Sequence, residues 1–388
     1  MLQQTSKDQT SDRRLFGTLA IGMAIGISVA CLWPFHAPKN DVSWLTDGNG
    51  LQFGRYGTVM SVGPFELAES PGDRGWSIEL AMQAGKPMAR RHFLTFYSPS
   101  ETDLLSLRQD DDAVVVSTED KREESAPTSE TVYVENVFRK ATPVFLSITG
   151  SDHGTAVFVD GKLRRSSDRL RLSRHALSGQ LILGDAPLES NSWSGRIGSL
   201  AIYASEMSPM EVFRHFEAWT GEESRETDPE SWEQDRPAAM YAFNEGGGSI
   251  IHNRIQPGVD LNIPERYTVA GKLFLEGPLH EYNPIWSYSR SIVINILGFV
   301  PFGYVWYGYL SLSAPWRKST TAVVTVILGG GLSFGMEVLQ GFLPTRSSGI
   351  ADIITNTIGT ILGVAAYRFS EGIVQNLLNR VQAVTGTR

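Results

Sequence analysis

Residues 291–310 read SIVINILGFVPFGYVWYGYL, and this run decides the architecture of the C-terminal part of the chain. An α-helix needs about 20 predominantly apolar residues to cross the hydrocarbon core of a bilayer. Two further runs of this kind follow closely, at 320–342 and 350–367, and an earlier one occupies 15–33. The sequence therefore predicts four membrane-spanning helices, three of which form a C-terminal all-α bundle.

The overall composition averages a soluble part and a membrane part. The chain has 388 residues, and 34 Lys and Arg against 42 Asp and Glu give a formal charge of 34 − 42 = −8. This acidic balance argues against a general nucleic-acid binder, which needs Lys/Arg-rich surfaces. Cys31 is the one cysteine in the sequence, which excludes an internal disulfide or a cysteine-cluster metal site.

The first apolar run, 15–33, fits an uncleaved anchor better than a signal peptide. The apolar core of a cleaved signal is usually shorter, about 7–15 residues, and the aromatic 33–35 stretch (WPF) is typical of an interfacial stop. The alternative is a lipoprotein-like cleavage box at 28–31 (SVAC), which would make Cys31 a lipidation site. Both interpretations place the following chain outside the cytoplasm.

Lys and Arg residues near the spans predict the orientation. Lys7, Arg13 and Arg14 place residues 1–14 in the cytoplasm, and basic residues recur in the 317–318 loop and in the 371–388 tail. The prediction is a multi-pass protein of the bacterial inner (cytoplasmic) membrane whose long polar stretch is extracytoplasmic.

Residues 42–219 predict an all-β sandwich, because short apolar runs alternate there with turn residues. Asp160-Gly161 lies between two such runs and favours a type I′ hairpin, in which both central residues need positive φ. The apolar runs are SIELAM (77–82), FLTFY (93–97), VFLSIT (144–149), AVFV (156–159), LIL (181–183) and IGSLAIY (197–203).

The end of this domain carries further signals. Pro209 opens a predicted helix over 210–219, and the charged 119–130 stretch predicts a loop. Residues 220–264 form an acidic connector, densest in charge at 221–236, followed by short segments that are candidates for returning strands.

Three segments, WSIE (76–79), GTAVFVDG (154–161) and WSGRIGSLAIY (193–203), resemble a laminin-G/concanavalin-A-like jelly roll. The resemblance implies binding of carbohydrate or another ligand, in some cases with calcium. Asp110-Asp111-Asp112 could supply oxygen ligands to calcium, although a solvated turn is favoured; no other cofactor is expected.

The same resemblance includes glucanases, which need an E-x-D-x-x-E strand of carboxylates. The nearest approach is the 101–106 stretch (ETDLLS), which lacks the last carboxylate. Retaining hydrolysis needs two carboxyl groups about 5–5.5 Å apart. A binding or spacer module is therefore favoured over a glycosidase.

The predicted membrane helices carry polar residues at similar depths below the outer surface. Charged and polar side chains are costly inside a bilayer, so their presence there indicates a function or the pairing of helices. Helical spacing of three and four residues aligns these side chains on facing stripes. They are Asn295 with Ser291, Gly298 and Phe302 on the second span, Ser333, Glu337 and Gln340 on the third, and Asp352, Asn356, Gly359 and Gly363 on the fourth.

Three interpretations of this cluster stay open. In the first, the polar groups only pair helices, with Arg346 neutralising Glu337 or Asp352. In the second, the cluster binds an anionic or polar headgroup, with Asn295, Glu337, Gln340, Arg346, Asp352 and Asn356 as ligand-binding residues. In the third, Glu337 or Asp352 acts as a catalytic general base. The third is the least favoured, since the three helices contain no His or Cys.

Three blocks, INILGFVPFG (294–303), EVLQGFLPTR (337–346) and DIITNTIG (352–359), resemble the VanZ-like family, in the family's order, over about 265–370. The resemblance implies an envelope location, with phenotypes such as reduced sensitivity to lipoglycopeptide antibiotics. The aromatic segment 267–288 is expected to lie along the outer interface.

Three functions follow as hypotheses. The first is an envelope membrane protein that binds glycan through the jelly roll. The second is a membrane enzyme acting on lipid-linked glycan. The third is a scaffold of a polysaccharide assembly or export complex, with exopolysaccharide machinery as partner. A nucleic-acid partner is not expected.

Overall fold

The computed structural model divides the chain into two compact units. One comprises Met1–His36 and Leu273–Arg388, and the other Ala37–Lys272. The predicted 119–130 loop and the 221–236 connector lie outside the described residues. Those residues are 2–67, 75–86, 88–101, 104–118, 131–140, 142–188, 190–220, 237–255, 258–277 and 286–385, with side chains omitted at 2–12, 88–89, 286–288 and 372–385.

The Ala37–Lys272 unit is a sandwich of two antiparallel sheets, which confirms the predicted all-β fold. The first sheet has the strand order β1-β2-β13-β4-β9-β10-β11, with β14 paired to β13. Its strands are β1 (Val42–Trp44), β2 (Leu51–Phe53), β4 (Trp76–Ala84), β9 (Val144–Ser151), β10 (Gly154–Val159), β11 (Lys162–Ser167), β13 (Gly195–Tyr203) and β14 (Ala239–Tyr241).

The second sheet has the order β15-β16-β3-β12-β5-β6-β7-β8. The 240–264 segment, left open by the sequence, contributes strands to both sheets. The strands of the second sheet are β3 (Val59–Ser61), β5 (Met88–Tyr97), β6 (Leu105–Asp111), β7 (Ala113–Thr118), β8 (Val132–Val134), β12 (Gln180–Leu183), β15 (Ile250–Ile251) and β16 (Leu261–Asn262).

The core between the sheets is apolar and contains two fully buried tryptophans. A buried indole needs an acceptor for its N–H group. Trp76 donates to the Leu172 carbonyl at 2.9 Å, and Trp193 donates to the Gln109 side-chain oxygen at 2.7 Å. Burying a large apolar side chain contributes roughly 1.5–3 kcal/mol, so these rings anchor the two sheets.

Helix α2 (Pro209–Thr220) covers the outer face of the first sheet, which explains why β4 is buried on both faces. His215 Nδ1 lies 2.7 Å from Glu79 Oε2, and the Ser147 hydroxyl donates to Glu79 Oε1 at 3.2 Å. All three side chains are buried. A buried carboxylate is tolerated here because both oxygens have partners.

The predicted hairpin turn at Asp160-Gly161 is confirmed. Asp160 has φ 51° and Gly161 has φ 70°, as a type I′ turn requires. Asp160 also accepts a hydrogen bond from the Phe145 N–H at 3.0 Å, which suits an aspartate at this position.

Within the other unit, four of the described helices are long and apolar enough to cross a membrane. They are α1 (Leu2–Leu32), α3 (Trp286–Ser313), α4 (Lys318–Gln340) and α5 (Ile350–Thr385). The predicted all-α bundle is confirmed. Helix α1 joins it through Met23, Ala24 and Ile27, which pack against Phe299, Phe302 and Met336 of α3 and α4.

Glycines set how closely α3 and α5 approach. A Cβ atom on Gly363 would lie 2.7 Å from the Tyr304 nitrogen and would overlap the Val300 carbonyl oxygen. A Cβ atom on Gly359 would lie 2.9 Å from the Phe299 Cβ. The predicted use of this small-xxx-small pair for close backbone approach is confirmed.

Tyr267 does not lie at a membrane interface as expected for the 267–288 segment. Its side chain is buried within the sandwich unit, next to Asp185. Tyr282 and its neighbours at 278–285 lie outside the described residues.

Candidate functional site

The candidate site in the bundle surrounds the start of α5. Asp352 lies in the first turn of α5 and accepts a hydrogen bond from the Asn295 amide of α3 at 2.7 Å. A carboxylate at a helix N-terminus is favoured by the unpaired backbone N–H groups there. This pair joins α3 to α5.

Glu337 of α4 is directed at the same helix end. Its Oε2 atom accepts the Gly349 N–H at 2.8 Å, one residue before α5 begins. The Ser348 hydroxyl donates to the Glu337 carbonyl oxygen at 2.8 Å. Only 3% of Glu337 is exposed, so this carboxylate is stabilised by a backbone donor and by the α5 N-terminus.

Asn356 lies one turn further along α5 and faces α4. Its Nδ2 atom donates to the Ser333 hydroxyl at 2.9 Å, and both side chains are buried. The Asn356 Oδ1 atom is buried and has no hydrogen-bond partner within the described structure. A buried polar atom without a partner is costly, so this oxygen could accept a hydrogen bond from a bound donor.

Gln340 and Arg346 bind the end of α1. Gln340 donates to the Cys31 carbonyl oxygen at 3.0 Å, and Arg346 donates to the Trp33 carbonyl oxygen. The last carbonyl groups of a helix have no partner within that helix. These two side chains therefore satisfy the end of α1.

The six sequence-predicted residues thus form a polar layer of separately paired side chains rather than one ligand shell. Asn295 and Asp352 contact each other, whereas Glu337 contacts the loop before α5. The sequence did not reveal Ser348 and Gly349 as partners of Glu337, or the α1 carbonyls as acceptors. The small polar residues directly before a predicted helix are the signal that could have indicated the first pair.

A bridge also joins the chain that enters the bundle to this layer. Glu276 pairs with Gly349, and the Glu276 N–H donates to the Ser348 carbonyl oxygen at 3.0 Å. The same loop therefore holds Glu337, the start of α5 and the segment that precedes α3.

The sandwich unit contains a second polar site, around Asp185. Asp185 Oδ1 accepts the Ala186 and Asn191 N–H groups, each at 2.9 Å. Burial raises the pKa of Asp185 to about 7, against the opposing effect of these hydrogen bonds and of the Tyr267 hydroxyl. Burial, together with Arg108 and Arg91, lowers the pKa of His92 to about 3.

The residues predicted as calcium ligands form a hairpin turn between β6 and β7. Asp111 has φ 54°, and the Asp112 carboxylate lies 3.6 Å from Arg139 Nε. Among the described residues, no group of three or more His, Cys, Asp or Glu side chains is arranged to hold a metal ion.

Residues 250–373 match the model of the VanZ/LLP1 family, which confirms the VanZ-like resemblance of the membrane region. Curated proteins give no match to this chain.

Several solved structures are similar to the sandwich part. A proposed carbohydrate-binding protein from Bacteroides ovatus has 10% identity and a TM-score of 0.37, over 54% of this chain and 58% of that chain. The binding domain of Paraclostridial mosquitocidal protein 1 has 10% identity and a TM-score of 0.35, over 47% of each chain. The receptor-binding domain of the botulinum neurotoxin C/D mosaic serotype has 12% identity and a TM-score of 0.33, over 46% of this chain and 45% of that chain. The alignments thus span less than two thirds of those chains.

Proposed function

We propose that this protein is an integral membrane protein of the bacterial cell envelope that binds glycan through an extracytoplasmic β-sandwich. The observation that carries the proposal is the position of the sandwich in the chain. Residues 37–272 lie between α1 and α3, so both ends of the binding module lead into helices long enough to span a membrane. The sandwich is therefore tethered to the membrane at both ends and lies on one side of the bilayer.

The orientation is argued from charge. Lys7, Arg13 and Arg14 lie before the first apolar run. Arg317 and Lys318 lie where the connection from α3 enters α4. Basic flanks favour the cytoplasmic side, which leaves the sandwich outside the inner membrane. Alkaline phosphatase fused within 343–349 should be active, and a fusion after residue 388 inactive; the reverse pattern would refute this orientation.

Glycan binding is argued from the sandwich and from the jelly-roll resemblance of its 154–161 and 193–203 segments. The test is a glycan array probed with the full-length protein in nanodiscs. We expect retention of at least one class of envelope polysaccharide. Binding to none of the polysaccharides would remove the glycan-binding role.

The polar layer of the bundle is the second proposed site, and Asn356 is the observation that favours it. Its buried Oδ1 atom accepts no hydrogen bond from any described residue. A hydroxyl group of a lipid-linked sugar or of a polar headgroup would supply the missing donor. Glu337 and Asp352 already place two carboxylates at the α5 N-terminus. A ligand rich in hydroxyl groups therefore suits this position better than an anionic one.

Native mass spectrometry of the purified protein tests this second site. Asn356→Leu should remove a co-purifying glycolipid or headgroup lipid that the wild type retains. Thr357→Val is the matched control, because the Thr357 hydroxyl bonds within its own helix to the Ile353 carbonyl at 2.7 Å. Identical lipid retention by all three proteins would refute the site.

Catalysis at the same layer is the alternative function. Glu337→Gln and Asp352→Asn separate it from binding, since both substitutions keep the shape and remove the base. An envelope phenotype left intact by both variants would exclude an enzyme that uses either carboxylate.

A further inference from the structure

The edge of the first sheet carries the densest run of cations in the described sandwich. Residues 162–171 (KLRRSSDRLR) contain five Lys and Arg and one Asp, a formal charge of 5 − 1 = +4 in a chain whose total is −8. The first six of these residues are strand β11. The charge is therefore concentrated on a regular element and not on a loose tail.

The cations on this edge are exposed, and three of them form no ion pair with any described residue. Lys162, Arg164, Arg165, Arg169 and Arg171 are all exposed. Within the described part of the chain, no carboxylate forms an ion pair with Lys162, Arg164 or Arg169. Arg165 and Arg171 donate instead to backbone carbonyl groups, those of Tyr133 at 3.0 Å and Asp168 at 2.8 Å. Backbone carbonyl groups are neutral, so these hydrogen bonds do not compensate the charges of Arg165 and Arg171.

Strand β11 also offers backbone groups. Among the described strands it pairs with β10 alone, so its other edge, about 20 Å long, presents N–H and C=O groups that no described strand pairs with. Register shifts between Val157 and Phe158 of β10, opposite Arg165 and Leu163, leave Arg164 as the bulged residue. A bulge disfavours the docking of another strand. It does not prevent the hydroxyl groups of a bound sugar from forming hydrogen bonds with this edge.

Charge on an edge strand can serve merely to prevent sheet-to-sheet aggregation. One or two lysines suffice for that role, whereas four of the five cations here are arginines. The guanidinium group binds carboxylate and sulfate in a two-point geometry that an ammonium group does not match. The composition thus points to recognition of an oxyanion in addition to protection of the edge.

We propose that the Lys162–Arg171 edge binds a polyanionic polysaccharide, with uronate or sulfate groups on the arginines and sugar hydroxyls on the free backbone edge of β11. This inference rests on the proposed glycan-binding function and names its substrate class. An anionic membrane surface also attracts Lys/Arg-rich segments. It is the less favoured partner, because amphipathic protein surfaces that bind membranes also insert several apolar side chains. Leu163, which is 54% exposed, is the large apolar residue of β11 that is open to solvent.

The experiment measures binding of the full-length protein, in nanodiscs of zwitterionic lipid, to three polyanions, to neutral glycans and to vesicles of anionic lipid. The polyanions are polygalacturonate, alginate and dextran sulfate, and the neutral glycans include dextran. The test variant is the triple substitution Lys162→Gln, Arg164→Gln and Arg169→Gln. The control carries the same charge change near the opposite edge of the sheet, at Lys39→Gln, Arg55→Gln and Arg196→Gln. Equal unfolding temperatures of the two variants establish that both are folded.

We expect the wild type and the control to bind at least one polyanion, with an affinity that falls steeply as salt is raised. The test variant should bind at least tenfold more weakly and show a shallower salt dependence. Binding of neutral dextran or other neutral glycans with equal affinity by all three proteins would overturn the polyanion proposal and leave the glycan-binding function standing. Binding of none of the polyanions at low salt would overturn it as well. Binding only to vesicles of anionic lipid would assign the edge to a membrane instead.

Discussion

Replacement of Gly363 by alanine tests whether the contact between α3 and α5 depends on the absence of a side chain. The added Cβ would overlap the Val300 carbonyl oxygen and would lie 2.7 Å from the Tyr304 nitrogen and 2.9 Å from the Gly303 Cα. These are backbone atoms, which cannot rotate away. The two helices must therefore separate by about 0.5–1 Å. A gap of that size removes about a quarter to a half of the van der Waals attraction between the atoms in contact.

We expect Gly363→Ala to lower the free energy of unfolding by about 1–3 kcal/mol, the usual cost of overpacking. The control is Gly298→Ala on α3, where nothing lies within 4 Å of the added Cβ. Alanine is the better helix former, so Gly298→Ala should leave stability unchanged or raise it by up to about 1 kcal/mol. Both values come from SDS unfolding titrations in mixed micelles, followed by the helical circular dichroism signal. Equal stability of the two variants would refute the close-packing argument.

Three other predictions concern the buried Asp185 and Glu79 and the partly buried Cys31. Asp185→Asn should flatten the pH dependence of sandwich unfolding: the folded pKa of about 7 exceeds the unfolded value, so Asp185 lowers stability as pH rises from about 4 to 7. Thermal scans of wild type and variant across that range measure the difference, and parallel curves would contradict it. Glu79→Ala should destabilise the sandwich by about 3–5 kcal/mol, because it leaves His215 buried beside an empty position; a chemical denaturation midpoint within error of wild type would count against this. Cys31→Ala should change the mass only by the lost sulfur atom, and should leave membrane insertion and stability unchanged, if the residue is a packed part of the bundle. The additional loss of an acyl group in the mass spectrum would support the lipoprotein alternative.

The membrane part was largely predictable because its signals are local. Apolar run length sets the spans, and three- and four-residue spacing places Gly359 and Gly363 on one face of α5, which the structure uses for close approach to α3. The sandwich was predictable as a class, since alternating short strands and turns such as Asp160-Gly161 are visible in the sequence. Pairing was not: no local pattern specifies that β14 joins β13 or that β16 joins β3.

The candidate site shows the same division. Spacing brought Asn295, Glu337 and Asp352 to one level of the bundle, but it could not say which partner each takes. Glu337 bonds to the Gly349 N–H, and Gln340 and Arg346 to the end of α1. These acceptors and donors are backbone groups, which every residue possesses and no sequence pattern marks.

By itself, then, the sequence determined the number of the apolar helices and the position of their apolar spans, the class of the soluble domain and the types of polar side chain within the bundle. Those properties follow from periodicity and from the cost of exposing or burying each residue. The tertiary structure alone decided the strand order and the buried Glu79–His215 pair. It also decided two features of the described residues, the Asn356 oxygen without a partner among them and the cationic edge at which β11 ends its sheet. Each of these depends on which distant segments meet, and that is fixed by the packing of the whole domain and not by neighbours along the chain.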